Sequence, residues 1–281
     1  MFSNEVKFLR SRGSQGKSFL FSYWFTLTGL RFPGQAQVSG DVKVPSLLYY
    51  DKYGNVRATG AEVLAEDIVE TAVNEGWVKA EWLVVNHVSA SRIWYLYSPA
   101  TSRWKLHLRP PHLHVSLADD LPPLPPGKSA VDVLRDFIEY LFQCAKSYIQ
   151  ERHIALAWSS VESSIEYIFT HPNGWEVEQQ QLYRRAIEGA GLVSNKPEER
   201  SRVHLLTEGE ASLHFCAAGL LNMEKRTEKQ GVAVIDAGGG TIDLSMFSTT
   251  FNPVSCQEIA PAECMNLWPM AKLLLIHLFL F

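Results

Sequence analysis

The sequence predicts an α/β protein, and three observations lead to this prediction. Short segments with the alternating or continuous apolar residues of strands recur near 46–58, 165–169, 203–206 and 232–247. Segments with apolar residues at helical spacing lie between them, near 60–76, 130–152, 178–190 and 208–218. Apolar residues make up 46% and charged residues 20% of 281 residues, a composition that supports a folded core. Strands that alternate with helices favour layered α/β architecture.

A β-hairpin followed by a helix is the first predicted unit. Strands are expected over Ser46–Tyr50 and Asn55–Ala58, and the Asp and Gly residues of Asp51–Gly54 favour a turn between them. A single helix is expected to open at Gly60 and to end at Gly76. Its apolar face would comprise Val63, Leu64, Ile68, Val69, Ala72 and Val73.

The middle of the chain predicts a strand, a loop and a long helix. Residues 104–109 alternate like a strand. The proline-rich segment Pro122–Gly127 predicts a stiff loop, and its other reading is a proline-rich ligand for an aromatic groove. A helix over Ala130–Arg152 has a continuous apolar stripe, which we interpret as core.

Four elements are predicted before the last hairpin, and together with it they are expected to form one mixed sheet flanked by helices over residues 164–247. In order, they are a strand with Ile165, Tyr167 and Phe169 that ends at His171–Pro172, a helix over Glu178–Ala190 that ends at Gly191, a strand over Val203–Leu206, and a helix from Glu208 to Ala218.

Three consecutive glycines, Gly238, Gly239 and Gly240, interrupt the apolar run that begins at Val232. Glycine permits tight turns and keeps no Cβ between the backbone and a ligand. The alternation from Ile242 to Phe247 predicts a returning strand, so the glycines are expected at a hairpin tip. Successive backbone N–H groups in such a tip form an anion-binding nest, which suits a phosphate.

Polar residues flank this tip on both sides. Asp236 ends the first strand, where its carboxylate is expected to hold Mg²⁺ through water. Thr241 adds a hydroxyl group, and Asp243 adds a second acid. The segment therefore predicts a site for a metal-bound phosphate group.

The ten residues Asp236–Ser245 resemble the second phosphate-binding loop of the actin-like ATPase superfamily, in the form found in seventy-kilodalton heat-shock proteins. Three further blocks, Thr170–Trp175, Gln179–Leu192 and Thr207–Cys216, resemble the strand, helix and connecting helix that precede this loop in the family. The sequences of these blocks resemble most closely the divergent fungal twelve-A-like branch of this family. The resemblance covers roughly residues 31–82 and 104–264, and it implies an incomplete actin-like ATPase (ribonuclease H-like) fold with two partial lobes.

What the resemblance implies for function is binding of ATP or ADP with Mg²⁺, at most weak ATP hydrolysis and a chaperone-related role. Protein clients or co-chaperones are the implied partners beside the nucleotide. The implied catalytic residues are Glu208 and Asp236, the implied metal-binding residue is Asp236, and the implied nucleotide-binding residues are Gly238, Gly239, Gly240, Thr241 and Asp243. Whether the chain is an active ATPase is left open.

Departures from the family pattern are expected in three segments. Residues 1–30 contain no first phosphate loop, and Gly13–Ser18 resembles a P-loop but has Ser11 where the spacing requires glycine. Residues 83–103 are interpreted as an insertion. Residues 265–281 are interpreted as an apolar tail. The predicted division is an atypical N-terminal segment over 1–30, a partial first lobe over 31–160, a partial second lobe over 161–264 and the apolar tail. Such a division is expected of a truncated and interrupted copy produced by an altered gene model.

Composition excludes several other classes of function. A net charge of −4 argues against nucleic-acid binding. The four cysteines form no CxxC pair and the nine histidines form no HExxH motif, so a zinc site is not expected. The C-terminal apolar run is too short to span a bilayer, so a membrane partner is not expected. A cytoplasmic location is expected instead.

Two alternatives to the ATPase hypothesis remain from the sequence. The first is a non-catalytic, truncated α/β module that binds partners, or a product without function. The second is a sugar or acetate kinase of the same superfamily, since such kinases share the glycine hairpin. Affinity for Mg·ATP separates the ATPase from the binding module, and a phosphorylated small molecule would identify the kinase.

Overall fold

The computed structural model describes residues 44–81, 107–108, 110, 123–152, 157–219, 230–237, 241–251 and 254–266. These residues form a mixed α/β structure with small sheets, as the sequence predicts. The strands are β1 (Leu47–Tyr50), β2 (Val56–Thr59), β3 (Val78–Glu81), β4 (Tyr167–His171), β5 (Val203–Thr207), β6 (Gln230–Ala237), β7 (Thr241–Phe251) and β8 (Val254–Asn266). The α-helices are α1 (Glu66–Glu75), α2 (Ala130–Arg152), α3 (Trp158–Val161), α4 (Val177–Gly189), α5 (Pro197–Arg200) and α6 (Glu208–Gly219).

The described residues belong to two compact units. One unit contains residues 170–177 together with the described residues from 205 onward. The other contains the remaining described residues up to 169 and residues 178–204. The segments 1–30, 83–103 and 267–281 lie outside the described residues, so the expectations about them remain predictions.

The predicted hairpin is confirmed as β1 and β2, which pair antiparallel with Leu48 opposite Thr59. Asp51 organises the turn, because its Oδ1 accepts from the backbone N–H of Tyr53 and of Asn55, both at 2.9 Å. Gly54 has a φ of +80°, a conformation that glycine adopts without strain. The Arg57 side chain donates to Asp51 Oδ2 at 3.0 Å. The sequence prediction for this segment was therefore correct to within one or two residues.

Strand β3 was missed by the sequence analysis. It pairs antiparallel with β1, so the sheet order is β2-β1-β3 and β1 is central. The four residues of β3 include Lys79, Ala80 and Glu81, which are types depleted in strands. Pairing with β1, and not local propensity, therefore determines this strand.

The single helix predicted from Gly60 to Gly76 is wrong. A 3₁₀ turn over Gly60–Leu64 is followed by extended backbone at Ala65, with φ −69° and ψ 138°, and only then by α1. The break changes the helical phase, so Leu64 and Val73 are exposed although the periodicity placed them on the buried face. The predicted end is confirmed, because Gly76 adopts the left-handed conformation at φ +68°.

Helix α2 matches its predicted bounds and buries most of the predicted stripe, including Leu134, Phe137, Ile138, Phe142, Ala145 and Ile149. Ser129 begins it with a reciprocal cap: its Oγ accepts from Asp132 N–H at 3.2 Å, and Asp132 Oδ2 accepts from Ser129 N–H at 2.9 Å. The predicted loop precedes it, and Pro126–Gly127 forms its turn. The strand expected over 104–109 lies mostly outside the described residues, and it is wrong at His107 and Leu108, which form a 3₁₀ turn.

A polar network joins α2 to the hairpin. Asp136 Oδ2 accepts from Tyr50 Oη at 3.0 Å and from Lys128 Nζ at 2.8 Å. Asp136 Oδ1 accepts from Arg135 Nε at 3.0 Å and from Arg135 Nη2 at 2.8 Å. Burial and the neighbouring Asp136 carboxylate raise the pKa of the Tyr50 hydroxyl far above its usual value. Both oxygens of this carboxylate are thus occupied within the fold.

Strands β4 and β5 and helix α4 confirm the predictions for the segment from 165 to 207. Ile165, Tyr167 and Phe169 are all buried, as the alternation predicts. The ring of Phe169 lies edge-on to Tyr183 of α4, with centroids 5.6 Å apart. Gly191 follows α4 with φ +79°, which is the predicted helix-ending conformation.

The expected single mixed sheet is wrong among the described strands. β4 and β5 form a two-stranded sheet, whereas β6, β7 and β8 form a separate antiparallel sheet in that order. Strand β8 was not predicted, since it contains Pro261 and several polar residues. Pro261 falls where the pairing of β7 with β8 is irregular, at the edge of the sheet, where a missing N–H is tolerated.

The described part of the chain contains no helix that is both long enough and apolar enough to cross a membrane.

Candidate functional site

The hairpin of β6 and β7 places the two predicted aspartates opposite each other. Its register runs without irregularity from Gln230 opposite Thr249 to Ala237 opposite Ile242, and Asp236 pairs with Asp243. The predicted hairpin is confirmed, and the three glycines connect its strands. Gly238, Gly239 and Gly240 themselves, and the side chains of Asp236, Thr241 and Asp243, lie outside what the structure describes.

Positions 236 and 243 share a face of the sheet with Ser245 and Phe247. Paired residues, and alternate residues along one strand, share a face of an antiparallel sheet. Positions 236, 243, 245 and 247 therefore share one face, on which Ser245 and Phe247 are 1% and 3% exposed. Ile235 and Met246 occupy the opposite face and are 68% and 42% exposed.

Helix α6 packs against β6 and β7 and begins at Glu208. Thr207 caps it, because its Oγ1 accepts from the backbone N–H of Glu210 at 3.1 Å. Glu208 is the first helical residue and is buried. The positive end of the helix dipole favours a carboxylate at this position.

The start of α6 approaches β7 so closely that only glycine fits at position 209. A Cβ added to Gly209 would overlap the Oγ of Ser245 and would lie 2.9 Å from Ser245 Cβ. We call the face of the hairpin that contains positions 236, 243 and 245 the acidic face. The close approach of Gly209 to Ser245 brings the residue after Glu208 to this face.

Asn173 bridges the helix and the strand at this point. Its Oδ1 accepts from the backbone N–H of Gly209 at 3.3 Å, and its Nδ2 donates to Ser245 Oγ at 2.8 Å. Asn173 is 1% exposed, so both bonds form away from water. A buried amide with both ends bonded is favourable, whereas an unpaired one is costly.

The turn that holds Asn173 follows β4. Trp175 N–H donates to Pro172 O at 3.3 Å, and Gly174 at the third position of the turn has φ +79°, as a type II turn requires. The rings of His171 and Trp175 stack at 6.0 Å with an interplanar angle of 9°. His171 Nδ1 lies 2.9 Å from Pro172 O. These contacts make the Asn173 turn a packed element.

The described residues of this compact unit include several acidic ones, namely Glu176, Glu208, Glu210, Asp236, Asp243, Glu258 and Glu263. Carboxylate oxygens are the ligands that Mg²⁺ prefers. Within the described side chains, no group of three or more His, Cys, Asp or Glu residues could hold a metal ion, but that set does not include the side chains of Asp236 and Asp243.

Sequence reasoning missed Asn173, Gly209 and Ser245. The Asn-Gly pair at 173–174 signalled a turn but not a contact 72 residues further along the chain. Ser245 had a signal that was not used, since it stands on the same alternating face as Asp243. Glu208 begins the helix that packs on β6 and β7, and these two strands contain Asp236 and Asp243.

A scan of the chain against protein-family models found no match, and a search of curated proteins found none either.

Proposed function

We propose that this chain binds ATP or ADP together with Mg²⁺ at the glycine hairpin and at most weakly hydrolyses ATP. The proposal includes an actin-like ATPase fold of the seventy-kilodalton heat-shock type, a chaperone-related role and a cytoplasmic location. It rests on the resemblance of residues 236–245 and on the junction between the hairpin and α6.

One observation carries the proposal. The register sets the acidic positions 236 and 243 opposite each other beside the glycine connection, on the same face as Ser245. Helix α6 packs on these strands with the buried Glu208 at its first position. This arrangement supports a cation site beside the phosphate-binding loop, to which Glu208, Asp236 and Asp243 would contribute carboxylates.

Each residue has a separate role in this proposal. The backbone N–H groups of Gly238, Gly239 and Gly240 bind phosphate oxygens, and Thr241 adds a hydroxyl donor. Asp236 holds the metal through water, and Glu208, the acidic group near the metal, orients the attacking water. Mg²⁺ would neutralise charge on the phosphate oxygens when bound.

Calorimetry with Mg·ATP on the full chain tests the hairpin. Gly239→Val puts a branched side chain where a phosphate must approach the backbone, so binding should be lost while the fold survives. Gly231→Val is the matched control, because Gly231 lies in the same hairpin and an added Cβ there meets nothing within 4 Å. The control should bind Mg·ATP as the unaltered chain does. Equal, tight binding by the Gly239→Val chain would move the site elsewhere.

The metal role of Asp236 has its own variant. Asp236→Asn removes a charge at the metal position, so the gain in ATP affinity on adding Mg²⁺ should fall by about 10-fold or more. Binding of ATP in the presence of a chelator should change much less. An unchanged Mg²⁺ dependence would remove Asp236 from the metal site.

A non-catalytic module that binds a protein partner is the second candidate. It is favoured by the exposed apolar residues on the outer side of the sheet, namely Ile235 and Met246, together with Ile259 of β8. The same calorimetry separates the two candidates. If the unaltered chain binds neither ATP nor ADP with Mg²⁺, the nucleotide proposal is wrong and this second candidate replaces it.

A further inference from the structure

We infer that Asn173 is a positioning residue, which holds Glu208 at the acidic face of the hairpin and thereby sets how strongly the site binds Mg²⁺. This inference rests on the proposed function. Asn173 precedes Glu208 by 35 positions in the sequence, and neither the glycine motif nor the resemblance assigns it a role.

The bridge made by Asn173 spans the two elements that carry the acidic positions. One end of its amide bonds the backbone of Gly209, the residue next to Glu208. The other end bonds Ser245, which shares a face of the sheet with positions 236 and 243. A single side chain thus sets the separation between the start of α6 and β7.

The glycine at position 209 makes this bridge short. Because a Cβ at this position would overlap Ser245, the helix start can lie directly on the strand. The next backbone N–H of the helix, that of Glu210, donates to Thr207 Oγ1. Asn173 and Thr207 thus bind two successive N–H groups in the first turn of α6, the turn that carries Glu208.

The neutral chemistry of Asn173 suits this role. A Lys or Arg side chain could also join a helix start to a strand, but its charge would compete with a bound cation. The carboxamide supplies one acceptor and one donor and adds no charge. Residues that orient the ligands of a metal usually affect affinity for the metal as strongly as the ligands do.

The test compares nucleotide affinity with Mg²⁺ and with a chelator, on the full chain, for Asn173→Ala, Glu208→Gln and the double variant. If Asn173 acts through Glu208, each single variant should lower the enhancement by Mg²⁺ about 10-fold. The double variant should lower it no further than about twofold beyond the single variants, since residues that act as one unit are not additive. ATP affinity in the chelator should stay within about twofold of the unaltered chain.

Ser245→Ala provides the second variant, because it breaks the bridge from the strand side and leaves Asn173 in place. Hydrogen exchange of the Gly209 amide should become faster in Asn173→Ala, and this readout needs no nucleotide. If Asn173→Ala does not fold, Ser245→Ala carries the affinity measurements, with the same expected loss of enhancement.

The outcomes separate the two proposals. If the unaltered chain binds Mg·ATP but Asn173→Ala lowers affinity equally with and without Mg²⁺, or adds fully to Glu208→Gln, the positioning role is overturned and nucleotide binding stands. If the unaltered chain does not bind Mg·ATP, both the proposed function and the positioning role fall. Unchanged exchange of the Gly209 amide would contradict the bridge itself.

Discussion

Two β-hairpins of this chain are each joined to a helix, but by different chemistry. The hairpin of β1 and β2 is joined to α2 by a hydrogen bond from the Tyr50 hydroxyl to Asp136, whose carboxylate also forms ion pairs with Lys128 and Arg135. The hairpin of β6 and β7 is tied to α6 by the neutral amide of Asn173.

Under the proposed function, the difference separates a structural use of acidic residues from a metal-binding one. Asp136 is 8% exposed, and cations within the fold neutralise it. At the second hairpin, the contact that joins β7 to the start of α6 is made by the neutral amide of Asn173. A carboxylate that already binds cations of the chain is a poor ligand for a metal, so the second hairpin is where added Mg²⁺ should act.

The largest expected effect on stability comes from removing Asp136, which joins the hairpin of β1 and β2 to α2. Asp136→Ala leaves Lys128 and Arg135 without their buried partner, so the free energy of unfolding should fall by about 3 kcal/mol. Glu139→Ala, an exposed position on the same helix, is the control and should stay within about 0.5 kcal/mol. Urea denaturation measures both. Under native conditions Asp136→Ala should keep the Mg²⁺ dependence of ATP binding, and a loss of that dependence would contradict the division of roles.

The next effect concerns the neutral junction. Gly209→Ala forces a methyl group onto Ser245, so the free energy of unfolding should fall by about 2 kcal/mol. Ser245→Gly removes the atoms that the methyl group meets, and the double variant should therefore be more stable than Gly209→Ala alone. Gly231→Ala, which has open space, is the matched control. Urea midpoints for the four chains decide this, and equal midpoints for Gly209→Ala and Gly231→Ala would disprove the close approach.

The smallest expected effect concerns how the stability of the first hairpin depends on pH through Asp51. Burial alone would raise the pKa of Asp51, but hydrogen bonds from Asn55 and Tyr53 and the charge of Arg57 lower it to about 2, from an ordinary 3.8. Since the folded chain binds this proton less readily, Asp51 stabilises the fold above pH 3.8, and this contribution is lost as pH falls through 3.8 toward about 2.

Asp51→Asn should therefore flatten the fall in stability between these two pH values, and urea midpoints at several pH values measure the change. Asp67→Asn, at an exposed position in the first turn of α1, is the control. If both variants keep the full pH dependence of the unaltered chain, Asp51 does not organise the turn in the way its hydrogen bonds indicate.

Local patterns identified the elements whose signals lie within a few residues. Helix α2 has its predicted bounds because 23 residues carry one apolar stripe and Ser129 caps it. The glycines between two apolar runs predicted the β6–β7 hairpin, and alternation placed Phe169 inside. The break at Ala65 was invisible to periodicity, since the residues on either side of it continue the apolar pattern.

By itself, the sequence determined the α/β class, most helix and strand positions, and the acidic and glycine residues of the hairpin, because these depend on near neighbours along the chain. Tertiary structure alone decided the pairing of β3 with β1, the separation of β4 and β5 from the sheet of β6, β7 and β8, and the bridge from Asn173 to Ser245. Such contacts join positions that are tens of residues apart. Their stability depends on burial, close approach and paired hydrogen bonds, and no pattern of neighbouring residues records these quantities.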